Sequence, residues 1–467
     1  MSQATASSPA PIGVTEPIPR ALLALALPGL ASFLLRLGYQ WVDALWVRRL
    51  GVEATAAVTT SIFVLWSMWA LNDIFAIGVT AYTSQLLGAG ERRRAGVAAF
   101  KGLRASLFLG LIGTAVGILA GRPVYGLMGS DPRTLASGGA FLSIVLAGSP
   151  LAMMALTCES IMRASGDTRT PLLIDLCAVG LNAALDPFLI YGFGSFHGLG
   201  VAGAACATVA SWAAWLGGYL VLAALGHPAL PLARRAEGPP VRIAGMARVG
   251  LPAALIGILF SAVYVAFARS AGRFGPAALA TIGIANRIEA IQFATSVALG
   301  TAGAALVGQN LGARRPDRAV ETIKTGLVWA TWVSIPITIV LIVFPELFLT
   351  LFTRDPGVHR IGVPYLRILA LCLVMNSWEI VTAESVQGSG HTAVLSFIFT
   401  SFSLARIPLA FWVPEAFHNG ALGIAWVITV TCILRALVIV GWASRGTWKR
   451  GLQSELHGVG ELPESAP

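Results

Sequence analysis

Long apolar runs, each close to the length that crosses a bilayer, recur from Ala21 to Ala443 and are separated by short polar connections. A hydrocarbon core of about 30 Å takes roughly 20 apolar residues in a helix. The pattern predicts six such spans near 21–47, 55–86, 97–121, 136–162, 170–192 and 199–225. Six more are expected near 244–268, 277–308, 323–352, 360–386, 391–414 and 420–444. Backbone immersed in lipid has to satisfy its own hydrogen bonds, so the fold class expected is an all-α membrane protein of twelve transmembrane helices.

The two sets of spans are copies of one another. A constant shift of 224 residues lays Pro28 on Pro252, Gly51 on Gly275 and Asp131-Pro132 on Asp355-Pro356. The same shift lays Gln85, Gly88 and Ala89 of QLLGAG on Gln309, Gly312 and Ala313 of QNLGAR, and Ser165, Gly166 and Thr168 on Ser389, Gly390 and Thr392. With an even number of spans, both copies enter the membrane in the same orientation, as two six-helix lobes related by a pseudo-two-fold axis along the membrane normal. The expected organisation is a disordered tail over 1–19, lobes at 20–226 and 244–445, a Pro-rich linker at 227–243, and a cytoplasmic tail at 446–467. Parallel repeats with a site between them suit a carrier that rocks one half against the other.

Composition agrees with a lipid solvent: 56% of residues are hydrophobic and only 12% charged, with a mean hydropathy of +0.76. The net charge of +10 is not a nucleic-acid footprint, because the basic residues sort by side of the membrane. One set of alternate connections carries most of them, in runs such as Arg92–Arg94, Arg234-Arg235 and Arg314-Arg315. The other holds Arg48, Arg49, Arg122, Arg133, Arg269, Arg273, Arg354, Arg360 and Arg367. The positive-inside rule then places both termini in the cytoplasm. The first 19 residues have no basic stretch followed by an apolar core, so no signal peptide is expected there. The five cysteines lie singly in apolar segments and the six histidines are scattered, so neither type suggests a metal site or disulfide.

Ionisable groups at bilayer depth cost at least about 2.5–3.5 kcal/mol each, so those present should face protein or water. In the first half Asp43 follows Tyr39 by one turn of span 1, and Asp186 follows Asn182 by one turn of span 5, with Pro187 next to it. Two carboxylates in an apolar, partly dry pocket suit a proton carrier. With Asn182 and a span-6 hydroxyl such as Thr208 they equally make an all-oxygen cage for sodium. Helix-end solvation is the competing reading, as is an ion pair of Asp43 with Arg36 two turns earlier. Glu159 sits one turn before Arg163, where it can pair with that residue or serve as a further substrate-cavity candidate, while Asn72 and Asp73 in span 2 have no evident partner. At the 224 shift Asp43 becomes Phe267, Asn182 becomes Arg406 and Asp186 becomes Ala410. The second half instead carries Glu289 and Gln292 in span 8, Glu379 and Glu384 in span 10, and Arg406 in span 11. These are candidates for a cavity that attracts a cationic substrate, or, for Arg406 and one glutamate, a neutralising pair. Tryptophans such as Trp41, Trp46, Trp66, Trp69, Trp378 and Trp412 suit stacking on flat cations or anchoring at the membrane interface.

The order of these features resembles the MATE (multidrug and toxic compound extrusion) family of antiporters. The resemblance rests on Pro28, Val42-Asp43 and Leu50-Gly51, the QxxGAG of Gln85 to Gly90, and the RxSGDTRTP of Arg163 to Pro171. It extends through the NxxxDP of Asn182 to Pro187, the GVAGAAxAT of Gly200 to Thr208 and the VGQxLGA of Val307 to Ala313. Aspartates in spans 1 and 5 are similar to the DinF-like branch, which implies that Asp43 is the proton- or sodium-responsive residue, with Tyr39, Asn182, Asp186 and Thr208 around it. Arg48-Arg49 and Glu159 depart from the family pattern. The function implied is that of a monomeric inner-membrane antiporter, not an enzyme and without a cofactor. It would export amphipathic, cationic organic compounds in exchange for H+ or Na+ by alternating access. A flippase for lipid or lipid-linked precursors is the first alternative. A membrane enzyme or sensor is the second, and the loops are too short to hold its extra domain.

Overall fold

The computed structural model describes residues 11–127, 132–418, 420–452 and 455–456. A single turn, α1 (Ile12–Thr15), precedes α2 (Ile18–Val47), α3 (Val52–Gly88), α4 (Arg92–Leu127), α5 (Pro132–Ala147), α6 (Ser149–Ser165), α7 (Arg169–Tyr191) and α8 (Val201–Ala224). After the linker come α9 (Ile243–Gly272), α10 (Pro276–Gly312), α11 (Pro316–Val343), α12 (Pro345–Phe352), α13 (Pro356–Ala370), α14 (Leu373–Gln387), α15 (Ala393–Ala416) and α16 (Leu422–Ser444). A small antiparallel hairpin, β1 (Gly192–Phe193) and β2 (Phe196–His197), joins α7 to α8.

The internal repeat governs where helices begin. Val52 and Pro276, Arg92 and Pro316, Pro132 and Pro356, Ser149 and Leu373, and Arg169 and Ala393 are starts that lie 224 residues apart. Among the described residues nine helices are long and apolar enough to cross a membrane, and the bent pairs α5–α6 and α13–α14 add two more. Their bends, 50° and 51°, fall at matching places in the two lobes. The twelfth span is α3, whose 37 residues equal the 37 of α10.

Each lobe lends its first span to the other. α2 packs on α7 of its own lobe and on α10 of the second, while α9 packs on α15 of its own lobe and on α3 of the first. Ala21, Leu22, Leu25 and Ala26 of α2 thus share an apolar core with Leu299, Ala302, Ala305 and Leu306 of α10. Both lending helices carry a proline, Pro28 and Pro252, which leaves carbonyls of the preceding turn without a helical donor. Thr168 answers this at Pro28, donating to Ala24 O, four residues before the proline, at 3.4 Å, while its repeat Thr392 donates to Val249 O, one residue past the carbonyl that Pro252 leaves without its donor.

The first and last described segments lie at one end of the bundle, where side chains of α3, α10 and α11 bond to their backbone. Of the segment expected as a disordered tail, residues 1–10 lie outside the described residues, but α1 and the start of α2 are helical. Gly13 N donates to Gln309 Oε1 at 2.9 Å, and Arg318 donates to Gly13 O at 3.0 Å and to Glu16 O at 2.6 Å. At the other terminus Trp448 is 1% exposed, and Leu452 and Leu456 join the core of the first lobe. Residues 453–454 and 457–467 of the expected tail lie outside the described residues, as does Asp131 of the repeat, and nothing is described of the Trp66 side chain. The linker from His227 to Arg242 has no helix or strand. It is fastened along α4 by Lys101 to Val241 O (2.7 Å) and Arg94 to Pro239 O (3.0 Å).

Candidate functional site

Three helices of the first lobe bring the sequence-predicted cluster together. Asp43 and Tyr39 come from α2, Asn182 and Asp186 from α7, and Thr208 from α8. The carboxyls of Asp43 and Asp186 face one another, and Asp43 is 9% exposed, Asp186 0% and Asn182 1%. Tyr39 Oη lies 3.1 Å from Thr208 Oγ1. Because the Thr208 hydroxyl is already given to Ala204 O at 3.0 Å, the phenol is the donor in that contact. Asp43 Oδ1, both Asp186 carboxyl oxygens and both amide atoms of Asn182 are buried with no hydrogen-bond partner. Leaving one such atom unmet costs about 1–3 kcal/mol. Pro187 adds to the set, since it removes the donor that would have met the Ala183 carbonyl. Oxygen-rich and short of donors, the cluster is chemically matched to protons or to a small hard cation. Among the described residues no three Asp, Glu, His or Cys side chains gather as a metal centre. A sodium ion there would therefore draw on the neutral oxygens of Asn182 and Thr208 beside the two carboxylates.

Arg36 does not pair with Asp43. Long side chains on a helix lean toward its N-terminus, so this guanidinium points away from Asp43. It reaches Glu159 Oε2 of α6 at 2.5 Å and Asp175 Oδ2 of α7 at 2.8 Å. It also lies over the Trp215 ring of α8, 5.0 Å from its centre. Glu159 meets Arg163 as its spacing suggests, Oε1 to Nη1 at 3.0 Å, yet it serves Arg36 as well. Asp175 was missed by sequence reasoning. Its signal was present, a carboxylate exactly two helical turns before Asn182 on the same span, but its partner on another helix was not.

The second lobe arranges its charges differently from the expected pairing of Arg406 with a glutamate. Arg435 of α16 takes Glu379, Nε to Oε1 at 2.7 Å with both side chains almost fully buried. Its guanidinium also sits 3.9 Å from the centre of the Phe399 ring. Arg406 instead donates to Thr431 Oγ1 at 2.7 Å and to Cys432 Sγ at 3.1 Å. Gln292 is 1% exposed. It donates to Leu373 O and Ser377 Oγ of the first turn of α14, which makes it a structural tie between α10 and α14. Glu289 on α10 and Glu384 on α14 are half-buried. The Glu384 stem lies so close to α10 that a Cβ at Gly300 would be 2.4 Å from it. Of the tryptophans, Trp41 and Trp412 are 62% and 60% exposed. Trp46 has Arg49 over its ring at 5.4 Å and donates nothing through its indole nitrogen.

Twelve membrane spans in two interlocked lobes, with charges buried between helices, are the frame of a membrane transporter. The MatE family model matches residues 28–188 and 191–412, and the chain belongs to the MATE family. It is 26% identical over 439 residues to a protein of Shewanella oneidensis named FAD transporter, covering 92% of this chain and 96% of the relative. It is also 26% identical over 438 residues to the probable multidrug resistance protein NorM of Thermotoga maritima, covering 93% and 94%. The fold superposes on a crystal structure of MATE in complex with MaD3S at a TM-score of 0.87, with 22% identity over 94% of this chain and 98% of that one. It also superposes on an outward-facing multidrug resistance MATE family transporter of the MOP superfamily, with a TM-score of 0.85 and 22% identity over 94% and 98%.

Proposed function

We propose that this transporter is a secondary antiporter of the inner membrane, with both termini in the cytoplasm, that exports amphipathic cationic organic compounds in exchange for inward H+ or Na+. The observation that supports it is the set of unmet polar atoms on Asp43, Asn182 and Asp186. Two facing carboxylates repel when both are ionised and attract when a proton or cation lies between them. Arrival of the ion therefore changes the force between α2 and α7. Because α2 also packs on α10 of the other lobe, that change reaches the interface where a substrate would sit. Ion and substrate then lower each other's affinity by the same factor, as linkage requires. Half-buried Glu289 and Glu384 are the second-lobe carboxylates best placed to attract a cation. Gln292 and Glu379 are engaged in internal bonds, and Arg406 serves α16.

The test is efflux of a fluorescent organic cation from proteoliposomes under an imposed proton or sodium gradient, one at a time. Asp43→Asn and Asp186→Asn proteins, reconstituted at equal density, should lose gradient-driven transport by tenfold or more. Transport at the parental rate in both would end the ion-coupling reading. A second cargo, an anionic flavin nucleotide, is raised by the Shewanella relative's name and by Arg406, which among the described residues forms no ion pair with a carboxylate. Counterflow with that nucleotide in the same vesicles decides between the two cargoes.

A further inference from the structure

The charged cluster around Arg36 lies directly below the ion site on the same helices. Arg36 precedes Asp43 by seven residues on α2, and Asp175 precedes Asn182 by seven on α7, which is about 10 Å in each helix. α2 and α7 are thus joined by two rungs. The upper rung, Asp43 with Asp186, changes its force with the ion it holds. The lower rung is permanent, because the two guanidiniums of Arg36 and Arg163 balance the two carboxylates of Glu159 and Asp175. Glu159 and Asp175 are 4% and 2% exposed at the side chain, and Arg36 33%. Also facing this rung are Ser32 of α2, which hydrogen-bonds Asp175, Ser160 of α6, which accepts from Arg163 at 3.2 Å, Tyr219 of α8, whose hydroxyl is buried without a partner, and Asp73 of α3, beyond Arg163. Through Glu159, Asp175 and Trp215, Arg36 touches α6, α7 and α8 at one level.

Along α2 the clamp sits between two points of movement. Asp43 is seven residues beyond it, and Pro28, where the helix lacks a backbone hydrogen bond, is eight residues before it. We propose that Arg36 is a positioning residue for ion coupling, a fulcrum that pins the first span to the fifth so that a push at Asp43 is returned, in the opposite sense and at similar size, at Pro28. Without the pin, the repulsion or attraction between Asp43 and Asp186 shifts α2 bodily and the signal is lost before it reaches the part of α2 that packs on the second lobe. Arg36 takes no part in holding the ion. This proposal rests on the ion-coupling reading above.

Ion-activation curves of efflux in proteoliposomes test it, with Asp43→Asn run alongside. Arg36→Gln should raise the ion concentration for half-maximal transport about tenfold while the Kd for the fluorescent cation, measured in detergent, stays within about twofold. Arg36→Lys, which keeps the charge, should recover most of the shift. Arg36→Gln leaves Asp175 unbalanced, so Arg36→Gln/Asp175→Asn, which removes both members of the pair, serves as the folding control and should show the same shift. An unchanged activation midpoint in the double variant, with Asp43→Asn inactive, overturns the fulcrum and leaves the ion site standing. Gradient-driven transport by Asp43→Asn at the parental rate overturns the ion site itself.

Discussion

Single residues here matter mostly through what they leave unpaired. The Glu379–Arg435 contact, with side chains 1% and 4% exposed, gains little over an apolar pair of the same size, but removing one partner strands a buried charge at a cost of about 3–5 kcal/mol. Arg435→Met alone should therefore lower the thermal unfolding temperature in detergent markedly. Arg435→Met/Glu379→Gln should recover most of the loss, and a double variant as unstable as the single one contradicts this account. Tyr39→Phe removes only the donor to Thr208 Oγ1, worth about 0.5–1.5 kcal/mol. Its ion-activation midpoint should move by less than tenfold, well short of the effect of Asp43→Asn. The acids and amide of the proposed ion site were all visible in the sequence as polar residues at membrane depth. Asp175 and the true partner of Arg36 were not, because a long side chain chooses among carboxylates on other helices, and helical spacing speaks only for its own.

At the scale of elements, the QxxGA repeat turns out to mark a helix crossing. α3 and α10 meet end against end so closely that a Cβ at Gly88 would lie 1.9 Å from Gln309 O, and one at Gly312 would lie 1.9 Å from Gln85 O. Small residues are what let helices in a membrane approach backbone to backbone. Gly88→Ala and Gly312→Ala should each push the two helix ends apart, seen as a longer distance between spin labels placed on α3 and α10 beside the crossing. No change in that distance in either variant would mean that the lobes are held together elsewhere. The same reasoning explains the threonine of the SGxT repeat. The Thr168 hydroxyl supplies the donor that Pro28, on another helix, took from Ala24 O, and Thr392 donates to Val249 O in the turn before Pro252, a relation no local pattern reveals.

Over the whole molecule, the same two glutamines tie the lobes together with pseudo-two-fold symmetry. Gln85 Nε2 donates to Gly388 O at 2.9 Å and Gln309 Nε2 to Ala164 O at 2.8 Å, carbonyls that correspond at the 224 shift. Their oxygens accept from the chain ends, Leu452 N at 2.8 Å and Gly13 N at 2.9 Å. Opening this end of the carrier has to break the two glutamine bonds that cross between the lobes, each worth about 0.5–1.5 kcal/mol. Gln85→Ala/Gln309→Ala should therefore shift the population toward opening at the end that carries the termini, read as a bimodal spin-label distance. A single parental distance would show that the bonds follow closure without holding it. The twelve spans, the duplication and the lobe with unpaired acids were legible in the sequence alone, since lipid demands long apolar helices and punishes every buried charge. Only the tertiary structure decided that the lobes exchange their first spans, that Arg36 clamps Glu159 and Asp175, and that the ends of the chain lock the cross-lobe glutamines. Those contacts join residues more than a hundred positions apart, and their partners are selected by packing geometry, which hydropathy and helical period do not encode.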